Sequence, residues 1–119
     1  MESWRDLVFD IINNSKNDLP TAVFAGTDLM ASYAIKAIQD SGFNVPEDIS
    51  VVGYDDTYLA KYSNPSITSV NVPIPEISKF AVENLINMIK GLPYIKEYKF
   101  HFLLILSISY QYQYHNVHI

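Results

Sequence analysis

The chain has 119 residues, of which 49% are apolar and 18% charged, and no cysteine. That balance belongs to a folded protein with one hydrophobic core, and it excludes disulfides, thiolate metal sites and a cysteine nucleophile. Its 8 basic and 13 acidic residues give a formal net charge of −5, the wrong sign for a surface that grips nucleic-acid phosphates unaided.

Trp4, Leu7, Val8, Ile11 and Ile12 recur at helical spacing, so residues 4–15 read as an amphipathic helix, with Ser3 and Asp6 placed to cap its start. Met1 to Asp6 lacks the positive charge and apolar run of a secretory signal. The apolar stretch Phe102 to Leu106 is far below the ~20 residues that span a bilayer. The expectation is a cytoplasmic protein with no membrane partner. Asn13 to Asp18 are loop formers, and Pro20 disfavours helix at Leu19. Thr21 to Ala25 is short, largely apolar and bounded by breakers, which predicts a strand buried on both faces. Gly26-Thr27-Asp28 then turns into a second helix, about residues 28–41. Thr27 suits the N-cap, and Asp28 complements the positive end of the helix dipole. Met30, Ala34, Ala37 and Ile38 form its inner stripe; Gly42 supplies the left-handed stop and Pro46 follows.

Ile49 to Tyr54 reads as a second strand that ends at Asp55-Asp56. A polar loop through Asn64-Pro65 leads to a third, Ile67 to Val72. Pro73 and Pro75 open a helix over residues 76–90, carried by Ile77, Phe80, Ala81, Leu85, Met88 and Ile89, which Gly91 and Pro93 close. This order predicts an α/β domain, a layered parallel sheet flanked by helices.

Gly26-Thr27-Asp28 and Asp55-Asp56 both fall just past the carboxyl ends of strands. In open α/β sheets ligands bind along that edge, where helix N-termini point their amides outward. A carboxylate there can accept from a sugar hydroxyl or a purine N–H. Asp28 also has a plain use at the helix start, Asp55 has no such capping task, and Asp56 fits a structural or exposed position. No GxGxxG, GxxxxGK[ST] or GxSxG motif occurs. His101, His115 and His118 fall in the C-terminal tail, with no metal-ligand spacing. The expectation is a chain without catalytic residues, cofactor or resident metal. A Mg²⁺-dependent phospho-acceptor or hydrolase domain built on Asp28, Asp55 and Asp56 is the competing class, and no Lys or Ser/Thr constellation accompanies it.

Three stretches stand out together: Pro20-Thr21-Ala22-Val23-Phe24-Ala25-Gly26-Thr27-Asp28-Leu29-Met30-Ala31, then Val45-Pro46-Glu47-Asp48-Ile49-Ser50-Val51-Val52-Gly53-Tyr54-Asp55-Asp56, then Asn64-Pro65-Ser66-Ile67-Thr68-Ser69-Val70. In this order and spacing the chain resembles the C-terminal lobe of the effector domain of LacI/GalR transcriptional regulators. The likeness covers about residues 4–93 and is sharpest from Pro20 to Pro73.

The resemblance implies a periplasmic-binding-protein-like sensor. In it two α/β lobes close on a small-molecule effector, a sugar or a purine, and a separate N-terminal helix-turn-helix domain binds DNA. By motif position, Thr27 falls where the family often has an effector-contacting Asn, and Asp55 falls on the carboxylate that bonds the effector. With Asp28 these are the candidate ligand residues. Ser32, Tyr33 and Lys36, with Leu59, Tyr62 and Ser63 of the loop from Leu59 to Ser63, fall in the family's dimer interface, which implies a homodimer.

Set against the family pattern, the chain is expected to lack the DNA-binding domain, the first lobe and the opening of this lobe. Residues 1–93 are therefore expected to form one incomplete lobe, with the apolar face of residues 77–89 exposed or repacked. Residues 94–119, ending through Tyr110-Gln111-Tyr112-Gln113-Tyr114, read as a divergent or out-of-frame tail. A sugar-binding protein of a transport system and an inactive gene fragment are the alternatives within this fold.

Overall fold

The computed structural model describes residues 4–15, 18–107 and 109. The expected cap at Ser3, His115, His118 and the stretch Tyr110 to Tyr114 lie outside the described residues. The elements run α1 (Trp4–Asn14), β1 (Ala22–Phe24), α2 (Asp28–Asp40), β2 (Ser50–Asp55), α3 (Tyr58–Tyr62), β3 (Thr68–Asn71), α4 (Ile74–Ile89) and β4 (Leu103–Ile105). They divide into two compact units, one running to Asn71 and resuming at Leu104, the other Val72–Leu103.

In the first unit β1, β2 and β3 are parallel neighbours, with Val23 opposite Val51 and Gly53 opposite Ser69. Beyond β3 lies β4, in the order β1-β2-β3-β4. The returning chain runs against β3: Ser109 N–H donates to Ser66 C=O at 3.0 Å, while Ser107 N–H donates to Thr68 Oγ1 at 2.7 Å. The sheet is thus mixed, parallel through its first three strands.

The interior is built on α2. Ala31, Ala34, Ile35, Ala37 and Ile38 are buried against Val8 and Ile12 of α1, Ile49 just before β2, Val51 within it, and Ile67. Alanines at this spacing let the helix approach its neighbours closely, and isoleucines fill the depth between them. Met30, expected on the inner stripe, is exposed, and Ala31 and Ile35 take that place. The helix is held at both ends. Thr27 Oγ1 accepts from Met30 N–H at 3.2 Å. At the other end Gly42 (φ 86°) lets its own N–H reach Gln39 C=O and Phe43 N–H reach Ile38 C=O, the paired bonds of a Schellman stop.

β1 corrects the expectation of a strand buried on both faces. Ala22 is exposed and Phe24 is 66% exposed, with Val23 half-buried between them. That alternation belongs to an edge strand with one covered face. Between Asp56 and Asn64, where a loop was expected, the chain forms the short helix α3.

The returning chain of the first unit is tied into the sheet by Ser109, which is fully buried. Its hydroxyl donates to Val51 C=O at 2.8 Å and accepts from Thr68 N–H at 2.7 Å. Its carbonyl accepts from Val51 N–H at 2.8 Å. One residue thereby satisfies backbone groups of both central strands.

In the second unit, Phe80, Tyr98 and Phe100 stack with ring centroids 4.7 to 5.6 Å apart. Asn84 Oδ1 accepts from Ile95 N–H at 2.7 Å, fastening the segment after α4 to the helix. No residue of α4 is buried, and Val82, Leu85, Ile86, Met88 and Ile89 are exposed.

Candidate functional site

Parallel β1 and β2 deliver the segments Gly26–Asp28 and Asp55–Thr57 to the same edge of the sheet. There Thr27, Leu29, Asp55, Thr57, Tyr58 and Leu59 line an open cleft of about 360 Å³, with Asp28 buried beneath its floor. Leu29 and Tyr58 are exposed apolar walls for it. Thr27 spends one acceptor lone pair on the helix cap, which leaves its O–H free to donate into the cleft.

The three expected ligand residues occupy different environments. Asp28 is fully buried. Its Oδ2 accepts from Thr57 N–H at 2.6 Å and Thr57 Oγ1 at 2.9 Å, and its Oδ1 accepts from Ser69 Oγ at 2.5 Å. Asp55 is half-buried at the end of β2, and among the described residues its carboxylate has no hydrogen-bond or ion-pair partner. Asp55 and Asp56 both have positive φ, 98° and 49°. Asp56 N–H donates to Ser69 Oγ at 3.0 Å, and Asn71 Nδ2 donates to Asp56 Oδ2 at 2.9 Å.

Sequence reasoning passed over Ser69, Thr57, Asn71 and Gly53. A Cβ on Gly53 would collide with Asp28 Oδ1 and come within 3.1 Å of Ile67 Cγ2. The available signal was Thr68-Ser69, two adjacent polar residues inside a strand flanked by Ile67 and Val70. Such a pair in a buried strand needs partners.

Ser32, Lys36 and Ser63 come together in a groove of about 150 Å³ with Ile35, Gln39 and Asn64. Tyr33 and Tyr62 are exposed, Tyr62 at 83%. Leu59 instead lines the ligand-side cleft. Lys36 is paired with Asp40 at 2.5 Å. His101 lies in the second unit, in a groove of about 460 Å³ with Glu76, Lys79, Glu83, Lys99 and the aromatic trio. Charges of both signs line it. Among the described residues no group of three or more His, Cys, Asp or Glu could hold a metal ion, and no helix is long and apolar enough to cross a membrane.

Residues 1–100 match the periplasmic binding protein-like domain family. The chain belongs to that family. Among curated proteins it is 46% identical over 80 residues to the HTH-type transcriptional repressor PurR of Aliivibrio fischeri, covering 67% of this chain and 24% of that protein. It is 42% identical over 77 residues to the ribose operon repressor of Haemophilus influenzae, covering 65% of this chain and 23% of that one. Among solved structures, the transcriptional regulator CelR–cellobiose complex superposes with a TM-score of 0.77 at 29% identity, covering 90% of this chain and 32% of that one. This periplasmic binding protein-like chain thus spans about a quarter of the length of the curated relatives it matches.

Proposed function

We propose that this chain is the effector-sensing and dimerising part of a LacI-type transcriptional regulator of the cytoplasm, a binding module without enzymatic activity. The observation that carries the reading is the Asp55 carboxylate, unpartnered among the described residues and standing at the carboxyl edge of the parallel strands β1 and β2, beside the Thr27 cap. Thr27 offers a donor and Asp55 an acceptor, and Leu29 and Tyr58 offer apolar faces. That set suits a small polyhydroxylated or heterocyclic molecule, a sugar or a purine. A solved relative is a complex with cellobiose and a curated one is named for ribose, which supports the sugar class. The homodimer would use the face carrying Ser32, Tyr33, Lys36, Tyr62 and Ser63, with Leu59 at its margin. DNA would be reached through a separate helix-turn-helix domain, consistent with the charge of −5.

Titration of the ¹⁵N-labelled chain with cellobiose, D-ribose and adenine tests the assignment. One lobe encloses only part of a ligand, so the expected affinity is millimolar, with shifts concentrated at residues 26–28 and 55–58. Asp55→Asn is expected to weaken binding roughly 10- to 100-fold, because a charge-assisted bond is lost and a ligand donor is left unpaired. A variant that titrates like the wild type would end this reading of Asp55.

A further inference from the structure

We infer that Asp28 is a positioning residue for the cleft, which with Ser69 holds the Asp55–Thr57 loop in the shape that presents the Asp55 carboxylate. The inference rests on the effector-binding reading of Asp55. Asp28 cannot itself reach a ligand in this state, because it has no exposed surface and both its oxygens accept bonds from within the fold. A carboxylate removed from water is stable only where donors converge on it, so its bonds constrain their donors strongly.

Those donors are the loop. Thr57 N–H bonds Asp28 directly, and Asp56 N–H bonds Ser69 Oγ, whose own hydrogen goes to Asp28. Both amides that follow Asp55 are therefore tied to one buried carboxylate. Asn71 fixes the Asp56 side chain at 2.9 Å as well. Asp55, next in line, is held by the β2–β3 ladder opposite Asn71, and among the described residues its carboxylate alone is left without a partner. Its φ of 98° and the 49° of Asp56 lie where L-residues settle only when their surroundings hold them. Gly53 keeps the space that the carboxylate occupies.

Amide hydrogen exchange on the whole chain, in Asp28→Asn and Ser69→Ala, reads this coupling without any ligand. Exchange at Asp56 and Thr57 is expected to rise about tenfold or more, the equivalent of one lost charge-assisted bond. Amides of Ala34, Ala37 and Ile38 should keep their protection. Ser69→Ala removes only a hydroxyl and serves if Asp28→Asn does not fold. Titration with cellobiose, D-ribose and adenine should then weaken in step with the loop's loosening. Unchanged exchange at Asp56 and Thr57, or a rise shared equally by α2, overturns the inference, since the second result marks Asp28 as a general stability residue. Normal titration by Asp55→Asn alongside a loosened loop overturns the effector reading instead, and the ligand-free exchange arm tells the two failures apart.

Discussion

At Gly53 a missing methyl group decides how the first turn of α2 meets β2. The Asp28 carboxylate fills the space a Cβ would need, with Ile67 and Ala31 close behind. Gly53→Ala is therefore expected to destabilise the fold by about 1–3 kcal/mol through overpacking, measured as a lower urea midpoint at unchanged slope. It should also loosen Thr57, because Asp28 must shift. Thr27 was readable as a cap from local pattern alone, since it immediately precedes a helical run. The engagement of Asp28 was not, because its donors Thr57 and Ser69 lie 29 and 41 residues further along the chain. Nothing local distinguishes a carboxylate that caps a dipole from one that anchors a distant loop. Asp55 was readable as free of a capping task, whereas the left-handed backbone beneath it was not.

Elements with a strong period were legible in sequence: α1, α2 and α4 appear within about two residues of their expected bounds. α3 was not, because Tyr58–Tyr62 is too short to display a stripe. β4 was not, because Leu103–Ile105 is apolar throughout and exposed, so neither alternation nor burial marks it. The reading of residues 94–119 as a divergent tail contained no strand, while the structure places one there and buries Ser109 behind it. Ser109→Ala should cost about 2–3 kcal/mol, since Thr68 N–H and Val51 C=O would both lose a partner in the interior. A urea titration of the full chain checks this, and a change below about 0.5 kcal/mol would show that the hydroxyl carries no weight.

For the molecule as a whole, the main imbalance is the uncovered helix α4. Val82, Leu85, Ile86 and Ile89 are exposed together on one element. Contiguous apolar surface of this kind drives association in water. The chain is expected to sediment with a concentration-dependent average mass and to bind a hydrophobic dye. Leu85→Lys with Ile86→Lys should suppress both while leaving the melting temperature within a few degrees, because neither side chain is buried. If the double variant associates as before, the sticky surface lies elsewhere.

The Ser109 bonds also fix the order in which assembly can finish. Val51 and Ser109 are 58 positions apart. Closing a loop of that length costs on the order of 3–4 kcal/mol of chain entropy before any contact repays it. Helices α1 and α2 and the β1–α2–β2 crossover can form from nearer neighbours, so the clasp belongs to the last stage of folding. Ser109→Ala should accordingly steepen the decay of the native state and leave the refolding rate nearly untouched. The residue that seals the sheet is then a brake on opening, set only after the rest has closed.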